Sequence, residues 1–123
     1  MELRKISAGG VSIVVAEEQG KKVLTDVSSA LDLLGYVRYH AEASRVILDK
    51  DAIHEDFFVL STGFAGEVLQ KFVNYRMKLA IVGDFSGYTS KPLHDFIYES
   101  NKGRDIFFVS TEEEAVKRLS AAG

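Results

Sequence analysis

The chain has 123 residues, 46% hydrophobic and 27% charged, with a formal net charge of −3 at pH 7. That length predicts one domain, and the weak acidity offers no concentrated basic face for nucleic acid. There is no cysteine, which excludes disulfides and thiolate chemistry. No apolar run reaches the roughly 18–20 residues of a membrane span, and the opening MELRKISAGG has no apolar signal core. A soluble cytoplasmic protein without a cofactor is the expectation.

In chain order, Val11, Ile13 and Val15 alternate with Ser12 and Val14, the pattern of a half-buried strand. Glu17-Glu18-Gln19-Gly20 supplies a turn, and Val23-Leu24 reads as a short return strand of a hairpin. Thr25 or Asp26 caps the next element. Val27, Ala30, Leu31 and Leu34 sit at i, i+3, i+4 and i+7, and Gly35 fits a C-terminal stop. Tyr36-Val37-Arg38-Tyr39 reads as strand or loop. Val46-Ile47-Leu48 is a second apolar strand, followed by the polar Asp49-Lys50-Asp51.

The stretch Leu60–Phe85 organises the chain. Ser61, Thr62 and Gly63 precede Phe64, Ala65, Val68, Leu69 and Phe72, a broad apolar stripe at helical spacing. A hydroxyl ahead of such a run suits an N-cap. Leu79–Val82 then has no polar member, as expected of a strand covered on both faces. Gly83–Gly87 is a loop. Ser90 caps a helix with Pro92 in its first turn, Leu93, Phe96 and Ile97 on its buried face, and Gly103 at its end. Ile106–Val109 is a third fully apolar strand. Thr111 with Glu114, or Ser110 with Glu113, has the capping-box spacing and opens the last helix, whose stripe is Ala115, Val116 and Leu119.

The order β-β-α-β-α-β-α-β-α predicts a single α/β domain: a mostly parallel sheet of about five strands with about four helices, joined by right-handed crossovers. In simple strand order these put the main helices on one face. Both faces of Leu79–Val82 and Ile106–Val109 are apolar, so the second face needs a cover. The candidates are the Tyr36–Tyr39 segment, the N-terminal hairpin or another subunit, and self-association as a homodimer, or a partner on that face, is the expectation.

The runs EVLQKFVNYRMKLAIVGDF and YTSKPLHDFIYESNKGRDIFFVS resemble the bacterial domain of unknown function numbered 4180 (DUF4180), over most of the chain. That resemblance implies no activity. A second resemblance is to the anti-sigma-factor antagonist (STAS, SpoIIAA-like) domains, by element order and by Leu60-Ser61-Thr62-Gly63-Phe64 at the start of the helix after the third strand. Ser61 stands where that family has its phosphorylated serine, while Leu60 stands where it has an aspartate. The likeness implies a STAS-like fold and a protein-binding role.

In open sheets of this kind, ligands sit beyond the carboxyl ends of the strands. Those ends carry Asp49, Asp51, Asp84, Ser86, Ser110 and Thr111. The expected binding or switch set is Ser61, Thr62 and Gly63 with Asp49, Asp84 and Ser86. Ser61 and Thr62 read first as helix caps; a phosphate on Ser61 would add up to about two negative charges to a contact surface. Asp49, Asp51 and Asp84 form an alternative set of oxygen ligands for Mg²⁺, though solvated turn residues explain them as well. His40, His54 and His94 have no paired ligand spacing, and Gly83–Gly87 lacks the Gly-Lys-Ser/Thr ending of a phosphate loop. The leading expectation is a non-enzymatic regulatory module that binds an unidentified protein and is phospho-switched at Ser61. The alternatives are a small Mg²⁺-dependent or phosphotransfer enzyme and a small-molecule sensor.

Overall fold

Two consecutive glycines set the first turn. In the computed structural model, which describes residues 1–123 throughout, Gly9 and Gly10 take φ of 57° and 79°, as a two-residue hairpin turn requires. They join β1 (Glu2–Ala8) to β2 (Val11–Glu17), with Glu2 opposite Glu17 and Ala8 opposite Val11. The hairpin thus lies earlier than the sequence pattern placed it. β2 has β1 on one edge and the strand Arg45–Asp49 (β3) on the other, which leaves no edge for a return strand at Val23-Leu24. That segment makes a single parallel bridge, Leu24 to Ile53. The amides of Val23 and Leu24 both donate to the Ala52 carbonyl, at 2.7 and 3.1 Å.

Asp26 opens α1 (Val27–Ala41) with a capping box: its carboxylate accepts from the Ser29 amide at 2.7 Å, while the Ser29 hydroxyl accepts from the Asp26 amide at 3.1 Å. The helix does not stop at Gly35. It runs through the Tyr36–Tyr39 segment because Val37 and Ala41 continue the buried face set by Ala30, Leu33 and Leu34. A mid-helix glycine costs about 1 kcal/mol relative to alanine, less than burying a valine returns, roughly 1.5–3 kcal/mol. Glu42, at φ 51°, ends the helix, its amide bonding to the Arg38 carbonyl.

β3 (Arg45–Asp49) leads into three short 3₁₀ turns, Lys50–Ala52, Glu55–Phe58 and Leu60–Thr62, before α2 (Phe64–Asn74). The cap of α2 differs from expectation. Gly63, at φ 78°, is the N-cap, and no side chain caps the helix from that position. The Thr62 hydroxyl accepts from the Phe64 amide at 3.2 Å and donates to the carbonyls of Asp56 and Val59, both 2.9 Å away. Ser61 makes no cap. β4 (Lys78–Val82), α3 (Lys91–Lys102), β5 (Ile106–Val109) and α4 (Glu112–Ala121) complete the order. Ser90 caps α3 and Thr111 caps α4, each through its hydroxyl.

The five strands lie in sequence order, antiparallel between β1 and β2 and parallel in the other pairings, so the sheet is mixed. Alternation divides the core. Val14, Val46, Leu48, Leu79, Ile81 and Phe108 pack on one face with residues of α1, α2 and α3. Ile13, Val15, Ile47, Ala80, Phe107 and Val109 face the other way, onto Ala115 and Leu119 of α4. The second face is therefore covered by the chain's own last helix, which was not among the covers considered from sequence. The physical motive for a homodimer on that face disappears with it. No helix is long and apolar enough to cross a membrane.

Candidate functional site

β2 to β5 run parallel, so their carboxyl ends form one rim. The connections from β3 to α2 and from β4 to α3 both leave it on the α1–α3 side. Between them lies a groove of about 480 Å³, lined by Glu55, Phe58 and Ser61 from the first connection, Tyr88 and Ser90 from the second, and Pro92 in the first turn of α3. Val59, 47% exposed, and Leu60 add an apolar wall. Ser61 is exposed at this groove, and its hydroxyl makes no hydrogen bond within the chain.

The inner side of the groove is packed with aromatic rings. Phe58 is buried, and its ring stacks on Tyr88, with centroids 5.3 Å apart and planes at 25°. Phe57 meets Phe58 and Phe64 edge-on, at 5.1 and 6.0 Å. The pair Phe57–Phe58 is thus a core plug under the loop, as a run of two phenylalanines in a polar segment suggests. The Tyr88 hydroxyl donates to Glu55 Oε1 at 2.8 Å. Burial, followed by this bond to a carboxylate, pushes the Tyr88 phenol well above its ordinary pKa.

Lys50 crosses the rim beside this aromatic pair. Its Nζ lies 5.2 Å from the Tyr88 ring centroid, a cation–π distance. The stem passes over Gly83 so closely that a Cβ there would stand 2.6 Å from Lys50 Cβ. Asp84 is held below the usual carboxylate range, first by the hydroxyl and amide of Ser86 and, less, by the Lys50 charge. Lys50, Glu55 and Tyr88 were missed by sequence reasoning. The one signal was Gly83 directly after the all-apolar run Leu79–Val82, which marks a close approach.

The predicted site residues are not all brought together. Asp49 shares its side of β3 with Ile47 and lines a separate cleft on the α4 face, with Val15, Val82 and Glu112. Its carboxylate accepts from the Asp51 amide at 2.8 Å and caps the first 3₁₀ turn. Asp84 lines a third cleft with Ser110 and Glu114, and accepts from the Ser86 amide at 2.9 Å. Thr62 and Gly63 shape the entry to α2, as described above. No three His, Asp or Glu side chains are arranged to hold a metal ion, so Asp49, Asp51 and Asp84 do not form the ligand set weighed from sequence. The histidines have local roles. His54 Nδ1 accepts from the Asp56 amide at 3.1 Å, His94 bonds the Tyr88 carbonyl, and the His40 ring lies 4.2 Å from Tyr36.

The arrangement is suited to recognition: a fixed aromatic wall, one carboxylate, several hydroxyls and an open mouth. No curated protein and no solved structure matches the chain. One family model does, over residues 8–119, and its description is a domain of unknown function. The chain belongs to that family, DUF4180.

Proposed function

We propose that the chain is a non-enzymatic regulatory protein-binding module that docks its partner in the rim groove at Ser61. The observation that carries this reading is the exposed Ser61 hydroxyl, unbonded within the chain, on a groove built from the two connections that leave the carboxyl ends of β3 and β4. Open α/β sheets bind at such rims. Asp49 and Asp84 are committed to fixing turns, which supports a recognition role over a catalytic one. The STAS-like likeness of element order points the same way.

Ser61 is the natural control point of this surface. A phosphate there adds a bulky, hydrated group carrying up to about two negative charges at the mouth of the groove beside Glu55, and it occupies the space that a segment fitted to the unmodified groove fills. The test is capture from native cell extract by wild type, Ser61→Ala, Ser61→Asp and Val59→Asp, with mass spectrometry of Ser61 in the bound and unbound pools. The expected result is a protein retained by wild type and Ser61→Ala and lost from both aspartate variants, with phosphate on Ser61 only in the unbound pool. Identical partner sets for all four proteins would overturn the proposal.

A further inference from the structure

Glu55 differs from Asp49, Asp84 and Glu112, three other carboxylates on the rim. Asp49 and Asp84 accept backbone amides and fix turns, and Glu112 pairs with Arg4. Glu55 takes part in no ion pair of the chain. Its Oε1 is held by the Tyr88 hydroxyl, whose ring is itself fixed by stacking on the buried Phe58. Oε2 has no partner. Glu55 is also the sole charged member of the groove lining. The result is a carboxylate held in place but not neutralised, at the edge of a cleft whose remaining wall is apolar or hydroxylic.

From this geometry we infer that the groove receives an arginine side chain of a protein partner, with the guanidinium on Glu55 and its aliphatic stem along Val59, Leu60 and Pro92. The inference rests on the protein-binding reading above and names the chemistry of the docked segment. A cation is selected because the lining carries one negative charge and no positive one. Arginine suits the site better than lysine, since a guanidinium is more weakly hydrated and presents a planar fork to a carboxylate. Lys50 does not fill this role. It lies over the Tyr88 ring and forms no ion pair with Glu55, and the groove lining does not include it. The hydroxyls of Ser61, Thr89 and Ser90 supply donors and acceptors for the backbone of the incoming segment.

The probe is the blocked tripeptide N-acetyl-Leu-Arg-Leu-amide, titrated into uniformly ¹⁵N-labelled protein and compared with its citrulline counterpart, which has the same shape without the charge. The expected result is amide shifts confined to residues 55–61 and 87–92, with the citrulline peptide weaker by about tenfold or more, the scale of a charge-assisted hydrogen-bond pair. In Glu55→Gln, which keeps an acceptor for Tyr88, the two peptides bind alike while shifts far from the groove stay as in wild type. Equal affinity of the two peptides for wild type, absence of binding at millimolar concentration, or shifts centred on the exposed Tyr39 and Tyr75 would each overturn the inference. So would free argininamide binding as tightly as the tripeptide, because the site would then take a small guanidinium compound instead of a peptide. Failure here is separable from failure of the broader reading. A protein partner lost with Val59→Asp but captured equally by Glu55→Gln leaves the module intact and removes only the arginine.

Discussion

Lys50 packs closely over Gly83, and replacing this glycine with alanine tests that packing directly. The added Cβ would stand 2.6 Å from Lys50 Cβ and 2.9 Å from Lys50 Cδ. The nearer atom is bonded to the Lys50 backbone, so rotating the lysine cannot relieve the contact. Gly83 cannot back away freely either, because its amide donates to the Val109 carbonyl at 2.9 Å. Overpacking of this kind costs about 1–3 kcal/mol. Gly83 does not have positive φ, so no backbone strain adds to that figure. Urea denaturation at constant m measures the cost, and a mutant cycle locates it. Gly83→Ala is expected to cost most of this amount in wild type and still a good part of it in Lys50→Ala, which keeps the offending Cβ. In a Lys50→Gly background the cost should fall to about 0.5 kcal/mol or less, the range of an ordinary surface change. An equal cost in all three backgrounds would refute the account, and with it the reason given for a glycine at this position.

The cover on the second face and the phenol in the groove give two further tests. Leu119 is fully buried, and Leu119→Ala should cost about 2–5 kcal/mol and raise binding of a hydrophobic dye, as α4 loosens over Phe107 and Val109; a loss below about 1 kcal/mol would mean α4 is not the cover. For Tyr88, the raised pKa sets the sign of an alkaline effect. The unfolded phenol ionises near pH 10 while the folded one stays neutral, so this contribution is fully present below about pH 10 and is lost as pH rises above it. Ultraviolet titration should therefore show one of the five tyrosines ionising last, and Tyr88→Phe should remove that step and flatten the alkaline fall in stability. Five tyrosines titrating together would contradict the burial and the Glu55 bond.

The parts of the fold legible in the sequence were those where one local rule decides the outcome. The runs Leu79–Val82 of β4 and Ile106–Val109 of β5 are short and wholly apolar, and both are sandwiched between helices. Ser90 and Thr111 cap the helices they precede because their spacing to Leu93 and Glu114 leaves little choice. The failures arose where two rules compete. Gly35 carries a stop signal, but the burial of Val37 and Ala41 outweighs it and the helix continues. β1 escaped notice because Leu3 and Ile6 lie on opposite sides of the strand and neither is fully buried. The Gly9-Gly10 pair was the better signal there, and the turn at Glu17–Gly20 drew attention from it.

The candidate site was harder to read than the fold, for a physical reason. Its key contacts join residues of different loops: Glu55 with Tyr88, Lys50 with Gly83. Such pairs leave no periodic trace in a single chain. What the sequence did display, a row of carboxylates at strand ends, turned out to be divided by the sheet. Asp49 lies toward α4, and Asp84 faces the end of β5. A side chain at the last position of a strand inherits that strand's alternation, so neighbouring ends need not converge. Ser61 sits beyond the strand, in the connection, where alternation no longer assigns a face.

That distinction bears on what the rim can do. Carboxylates that accept a nearby backbone amide stiffen the loops they belong to. Here Asp49 and Asp84 stiffen the two connections on either side of the groove, and the aromatic stack of Phe58 on Tyr88 joins those connections across it. The groove is therefore preorganised, and little ordering cost falls on the protein when a partner docks. Glu55 benefits most from this stiffness, because its hydrogen bond comes from a ring that cannot turn away. In the switch proposed above, a phosphate on Ser61 stands on that same surface, which has no slack to make room for both the phosphate and a docked segment.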